Sequence, residues 1–274
     1  MLVLDLEGFK KSMEAEEKSP YTIAKYVRDT ESFIQYAGNS ELSKETVISW
    51  KKHLIDEGYM PASINSMIAS LHHYLLYIGK EDCKVKSLRI QRKVYRDRKE
   101  ELSREDYYTL IKRCEDNERL KMIIETLGST GERVSELKHF TPEAVRSGAV
   151  RISCKNKIRT VIVPEKLKWM LLSYARRKRI TAGCIFCTSN GKPLDRSNIC
   201  TELKKLAMKA DIDPEKVYPH NFRKLFAHEF YNTYKDIAAL ADVLGHSSIE
   251  TTRIYIMTSG TEHRKQIENL MMVM

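Results

Sequence analysis

Between positions 84 and 99 the chain carries Lys84, Lys86, Arg89, Arg92, Lys93, Arg96, Arg98 and Lys99 against the single acid Asp97, with few apolar residues among them. A stretch so charged cannot enter a core, because desolvating unpaired cations costs on the order of several kcal/mol each. It therefore divides the chain, and each side must fold around its own apolar residues. Residues 1–83 read as one domain, 84–101 as an exposed basic linker and 102–274 as a second, larger domain.

The first domain reads as a helical bundle. Ser19-Pro20 supplies a capping hydroxyl and a proline at the first helical position, and Ile23, Tyr26, Val27, Phe33 and Ile34 follow at helical spacing. A second helix opens near Ser43, buries Val47, Trp50 and Leu54, and stops at Gly58. A third runs from about Ala62 through Ile64, Met67, Ile68, Leu71, Leu75 and Ile78 to Gly79.

Ser103-Arg104-Glu105-Asp106 resembles a capping box and opens the second domain with a helix over 104–115, followed by another over about 118–128. Strands are expected at Ala149 to Ser153, Arg159 to Val163 and Cys184 to Thr188, and helices resume from about 195. The fold class is thus mainly α with a small antiparallel β-sheet, without internal repeats or low-complexity segments.

Charge narrows the partners. The excess of 47 Lys and Arg over 37 Asp and Glu gives +10, which favours a polyanion through counterion release, nucleic acid first and an anionic membrane surface second. No apolar run approaches the roughly 18 residues that span a bilayer, and the acidic start Met1-Leu2-Val3-Leu4-Asp5-Leu6-Glu7 lacks a signal-peptide pattern, so a cytoplasmic location is expected. The six cysteines then read as reduced thiols. Cys184 and Cys187 form a C-x-x-C, but structural zinc needs a second ligand pair, and Ile185 and Phe186 between them favour a buried strand.

Three segments carry residues suited to a phosphate. In Gly131-Glu132-Arg133-Val134-Ser135-Glu136, Arg133 and Glu136 share a face at a helix start, a pattern an exposed ion pair also gives. In Pro219-His220-Asn221-Phe222-Arg223-Lys224 the proline sets a helix start, His220 falls in the first turn and Arg223 one turn on. The positive end of the helix dipole there favours a neutral imidazole; a solvent-facing basic helix is the bland alternative. In the third, Asp236 caps a helix through Ile237, Leu240, Val243 and Leu244, Gly245 ends it, and Ser247 and Glu250 form a capping box for the next. His246 is then pinned in a corner, and Tyr255, sharing a face with Thr251 and Thr252, is either a nucleophile or a core tyrosine.

Taken in order, Arg133, His220, Arg223, His246 and Tyr255 resemble the catalytic set of the tyrosine recombinases, the family of phage, transposon and Xer-type integrases. Thr130 to Leu137 is similar to the family's first arginine box, His220-Asn221-Phe222-Arg223 to its H-x-x-R box, and Leu244-Gly245-His246 through Tyr255 to its nucleophile box. Ser19-Pro20-Tyr21-Thr22 with Tyr26 and Phe33, and Ala62-Ser63-Ile64-Asn65, resemble its core-binding domain. The family also carries a lysine on a turn between two strands, which the resemblance assigns to Lys155 in preference to Lys157, although the turn departs from the family pattern. Lys224 stands where many relatives place a histidine, and is assigned a supporting place.

The resemblance implies a tyrosine-recombinase-like catalytic domain and a site-specific DNA recombinase that needs no cofactor or metal. Arg133 and Arg223 would clamp the scissile phosphate, Tyr255 would attack it, His220 would move the phenolic proton, Lys155 would protonate the leaving 5′-oxygen, His246 would bind a phosphate oxygen and Glu136 would orient an arginine. Its partner would be double-stranded DNA at specific recombination sites, with Arg92, Lys93, Arg96 and Arg98 along the backbone, and no membrane. A homotetramer would form on that DNA, with a tail helix from about residue 261 docking on its own subunit or in trans. Helices begin almost at the N-terminus, so no additional arm-site domain is expected. The alternatives are a type IB topoisomerase-like or hairpin-resolving enzyme, and a DNA-binding protein of the same fold that does not cut.

Overall fold

A computed structural model describes residues 5–38, 40–90, 101–154, 157–188, 190–256 and 269, with positions 154, 157 and 256 described by backbone alone. The chain divides into two compact units, Met1–Arg92 and Lys93–Met274.

In the first unit four helices enclose one core: α1 (Leu6–Ala15), α2 (Pro20–Ala37), α3 (Lys44–Asp56) and α4 (Pro61–Tyr77). Ser19 and Ser43 cap α2 and α3 through their hydroxyls, as the sequence predicts. The helix α1 lies outside the sequence expectation; it is capped by Asp5, whose carboxylate also accepts a hydrogen bond from the Tyr77 hydroxyl at 2.8 Å. Phe9 and Met13 from α1 are buried with Ile23, Phe33, Val47, Trp50, Leu54, Ile64, Ile68 and Leu71, and Phe33 meets Trp50 edge-on at 5.3 Å. Between α2 and α4, buried Asp29 accepts hydrogen bonds from Lys25 and from Ser70.

The start of the basic run is not a free linker. Asn65 reads the backbone of Leu88 like a strand partner, accepting from its N–H at 2.7 Å and donating to its carbonyl at 2.9 Å. Val85 is buried, and its N–H donates to His72 Nε2. Residues 84–88 therefore belong to the bundle, because spaced apolar side chains and satisfied backbone groups outweigh the charge of their neighbours. Arg92, Lys93, Arg96 and Arg98 lie outside the described residues.

The second unit opens with α5 (Arg104–Arg113), whose Ser103–Asp106 capping box is formed in both directions, and α6 (Glu118–Thr130). A 3-10 turn over Val134–His139 and the short α7 (Pro142–Arg146) lead into the antiparallel pair β1 (Ala149–Cys154) and β2 (Lys157–Ile162). Val150, Ile152 and Val161 of this hairpin face the core, while Ile158, Thr160 and Ile162 face solvent. Helices α8 (Glu165–Arg177), α9 (Arg196–Lys209), α10 (Pro219–Tyr234), α11 (Ile237–Leu244) and α12 (Ile249–Ile256) complete the unit.

Cys184 to Thr188 is not a strand. Ile185 and Phe186 are buried, but their backbone groups pair with other loops, Ile185 N–H with the Phe140 carbonyl and Leu194 N–H with the Phe186 carbonyl, leaving a single bridge at Cys187 and Pro193. Apolar burial here needs no ladder because neighbouring loops satisfy the backbone. Burial pushes the Cys184 thiol up to about 11, so it is an inert core group. Among the described residues no helix is long and apolar enough to cross a membrane.

Candidate active site

Four chain segments meet at one buried arginine. Arg223, one turn into α10, is only 1% exposed, and its guanidinium donates from Nη1 to the Gly131 carbonyl at 2.6 Å and from Nη2 to the Leu244 carbonyl at 2.7 Å. Both carbonyls stand at helix C-termini, those of α6 and α11, where unpaired carbonyl groups and the negative end of the helix dipole gather. The cation is thus held by backbone dipoles in a desolvated place. Burial first, and then the nearby charge of Arg133, push its pKa downward.

Glycine is required at both helix ends. Gly131 and Gly245 each have φ of 65°, and a Cβ would lie 2.4 Å from Phe226 Cδ1 at the first and 2.3 Å from Arg159 Cδ at the second. The turn at Gly245 delivers His246, whose Nε2 lies 2.9 Å from Arg223 Nη2 and whose Nδ1 lies 2.8 Å from Thr252 Oγ1. Helix α12 begins at Ile249, with the Ser248 hydroxyl accepting from Glu250 N–H at 3.3 Å. Tyr255 on this helix is half-buried between two imidazoles. Its ring stacks on His246 at 5.6 Å and 12°, and meets His220 at 5.6 Å and 55°. The phenol lies close enough to Arg223 to act on its charge, drawing the guanidinium upward against burial.

Arg133 precedes the 3-10 turn, and Glu136 holds it, accepting from its backbone N–H at 2.9 Å and from Nη1 at 3.2 Å. The pair is not an exposed one, since Glu136 is buried while Arg133 is about half exposed. Lys224 donates to the Tyr218 hydroxyl at 3.4 Å. Lys155 lies outside the described residues, as does the side chain of Lys157; the register closes at Cys154 and Lys157 on either side of them.

Three residues of this region escape the sequence reading: Glu132, Arg159 and Thr252. Arg159 of β2 donates from Nη1 to Glu132 Oε1 at 2.9 Å, from Nη2 to the other Glu132 oxygen, and from Nη2 to Glu136 Oε2 at 2.6 Å. The available signal is strand alternation, which puts Arg159 on the same face as Val161 and Val163, so a charged side chain on a buried face demands a buried acid. Burial raises Glu132 well above the usual carboxylate range, and a hydrogen bond with Glu136 adds to this. For Glu136 burial also acts upward, but hydrogen bonds from Glu132 and from the Arg133 backbone, with the Arg159 and Arg133 charges, outweigh it and leave it lowered. The two carboxylates thus share one proton.

This sharing has a sign. A carboxylate raised by folding stabilises fully below its unfolded value, near 4.3, and loses that contribution as pH rises through its folded value. Melting curves from about pH 5 to about pH 9 should therefore show the parent losing stability with rising pH relative to Glu132→Gln, which mimics the protonated acid. Parallel curves for the two proteins would refute the shared proton.

Removing the arginine has a larger effect on stability. Arg159→Met strands two buried carboxylates and is expected to cost about 3–5 kcal/mol in urea unfolding, whereas Glu132→Leu combined with Arg159→Met should recover most of it. A single variant as stable as the parent would show that the trio contributes nothing to folding.

The profile of the Phage integrase family matches residues 100–261, and that of the phage integrase N-terminal SAM-like domain matches residues 6–81. The chain is 27% identical over 269 residues to tyrosine recombinase XerD of Vibrio cholerae, covering 90% of this chain and 89% of that one. It is 29% identical over 271 residues to tyrosine recombinase XerA of Pyrococcus furiosus, covering 96% and 92% respectively. Its fold is similar to that of the Tn1549 transposon integrase in complex with circular intermediate DNA, with a TM-score of 0.74 at 17% identity over 97% of this chain and 99% of that one. The profile match spans the whole convergence of Arg133, His220, Arg223, His246 and Tyr255, and the chain belongs to the phage integrase family, as a tyrosine recombinase.

Proposed function

We propose that this recombinase cleaves and rejoins double-stranded DNA at specific sites by attack of the Tyr255 phenol on a backbone phosphorus. The observation that carries the reading is the packing of the Tyr255 ring between His220 and His246, with His246 Nε2 2.9 Å from the buried guanidinium of Arg223. A nucleophile, a proton carrier and a phosphate ligand thus meet within one chain.

A phosphodiester resists attack because its charge repels nucleophiles and an alkoxide leaves poorly. Arg133 and Arg223 supply guanidinium donors to the non-bridging oxygens, and these bonds strengthen as charge grows in the pentavalent state. His220 takes or returns the phenolic proton, and His246 binds a phosphate oxygen. Lys155 protonates the leaving 5′-oxygen, giving a 3′-phosphotyrosyl link and a free 5′-hydroxyl. The link keeps the phosphodiester energy, so attack by another strand's 5′-hydroxyl rejoins DNA without ATP. Glu136 orients Arg133, Lys224 supports the helix that carries Arg223, and Arg92, Lys93, Arg96 and Arg98 follow the phosphate backbone. Exchange between two duplexes needs four such sites, hence a homotetramer, with the segment from about residue 261 docking in trans.

The test is covalent capture. Incubated with a randomised library of nicked duplexes, the protein should form an adduct stable to denaturant, with the modified peptide containing Tyr255 and the captured DNA sharing a common sequence. Specific binding with no adduct on any duplex would overturn cleavage in favour of a binding-only protein. Adducts with supercoil relaxation but no strand exchange would instead indicate topoisomerase-like chemistry.

A further inference from the structure

Both ring nitrogens of His246 are engaged, and their partners fix where its proton sits. Nε2 faces Arg223 Nη2 at 2.9 Å, and a guanidinium has donors only, so Nε2 must accept. Burial first, then Arg223, Arg133, Arg159 and His220, hold the imidazole down to about 4, so the ring is neutral near pH 7. A neutral ring that accepts at Nε2 carries its hydrogen on Nδ1. That N–H points at Thr252 Oγ1, 2.8 Å away, on a residue with no exposed surface. Thr252 lies one turn before Tyr255 on α12, so the helix that carries the phenol also carries the group that sets the imidazole stacked on it.

We propose that Thr252 is a positioning residue of the recombination site, holding His246 in the Nδ1–H tautomer, flat against Tyr255, with Nε2 aimed at Arg223. The proposal rests on the functional reading above, in which His246 and Arg223 receive the scissile phosphate. A hydroxyl suits this place because its oxygen accepts from Nδ1–H. Valine fills the same volume but accepts nothing, which leaves a buried Nδ1–H unpaired and removes what favours that tautomer.

Two variants and two readouts test this. Long-range nitrogen-15 spectra of the DNA-free protein, with the His246 signals identified by their loss in His246→Gln, should show a protonated Nδ1 and a bare Nε2. Thr252→Ser should keep that pattern, and Thr252→Val should shift it toward the Nε2–H form. On a duplex recovered from the parent's covalent complex, Thr252→Val should cleave about tenfold or more slowly, and Thr252→Ser within about threefold of the parent. An unchanged tautomer in Thr252→Val, a changed tautomer with unchanged cleavage, or a serine variant that behaves like valine would each overturn the proposal. Failure of the parent itself to form an adduct would instead strike the functional reading, while the spectra still decide what Thr252 does to His246.

Discussion

Tyr255→Phe is expected to abolish the covalent adduct and all strand cleavage while leaving DNA affinity and folding nearly unchanged. The substitution removes one oxygen and keeps the ring. That ring packs with Phe226, Phe230 and Tyr231 against buried Ala227, Leu240 and Leu244, so the apolar contribution of residue 255 survives. Arg223 still donates to the Gly131 and Leu244 carbonyls and to His246, so no buried cation is stranded. DNA affinity rests on many phosphate contacts rather than on one hydroxyl. Gel detection of the adduct, with a binding titration and a melting curve on the same preparation, separates these quantities. A persistent adduct in the phenylalanine variant would transfer the nucleophile to another residue, and Tyr231, in the same cluster, would be the first to examine.

Local chemistry explains what was legible in the sequence. Helix starts are written in short-range hydrogen bonds, so Ser19, Ser43, Ser103 with Asp106, and Asp236 marked their helices correctly. The hairpin is equally local, because alternation between Val150, Ile152, Val161 and their exposed neighbours is a two-residue pattern. The short helix α1 has only Leu6, Phe9 and Met13 on its inner face, too few for periodicity to stand out, and tertiary contact with Tyr74 and Tyr77 supplies the rest. Cys184 to Thr188 misleads because buried loops and buried strands share an apolar composition. Around the site the reactive residue types are visible in three boxes, but their supports are not local. Nothing in the residues around Arg223 announces that the carbonyls of Gly131 and Leu244, 92 and 21 positions away, converge on it. Glu132 and Arg159, 27 positions apart, pair for the same long-range reason, as the hairpin folds back on the turn that bears Arg133.

Arg223→Lys is expected to lower single-turnover cleavage by about a thousandfold or more, equivalent to roughly 4 kcal/mol of transition-state stabilisation. The geometry explains why keeping the charge is not enough. The guanidinium joins two helix C-termini and His246 through two nitrogens held in one rigid fork, Nη1 to the Gly131 carbonyl and Nη2 to the Leu244 carbonyl and His246. A lysine ammonium is a single point that satisfies one or two of these acceptors and leaves the other buried carbonyl unpaired, so it is both misplaced and less stably held. His246 would lose the donor that orients Nε2, and the stacked arrangement with Tyr255 would loosen with it. Binding should change little, since one phosphate contact among many is altered. The loss therefore belongs in the cleavage rate measured at saturating protein, not in the dissociation constant. Arg133→Lys offers an internal comparison: that side chain is about half exposed and hydrogen-bonded to Glu136, so its replacement should leave stability near the parent's while still slowing cleavage. An Arg223→Lys protein that cleaves within tenfold of the parent would show that charge alone, and not the fixed fork, stabilises the transition state here.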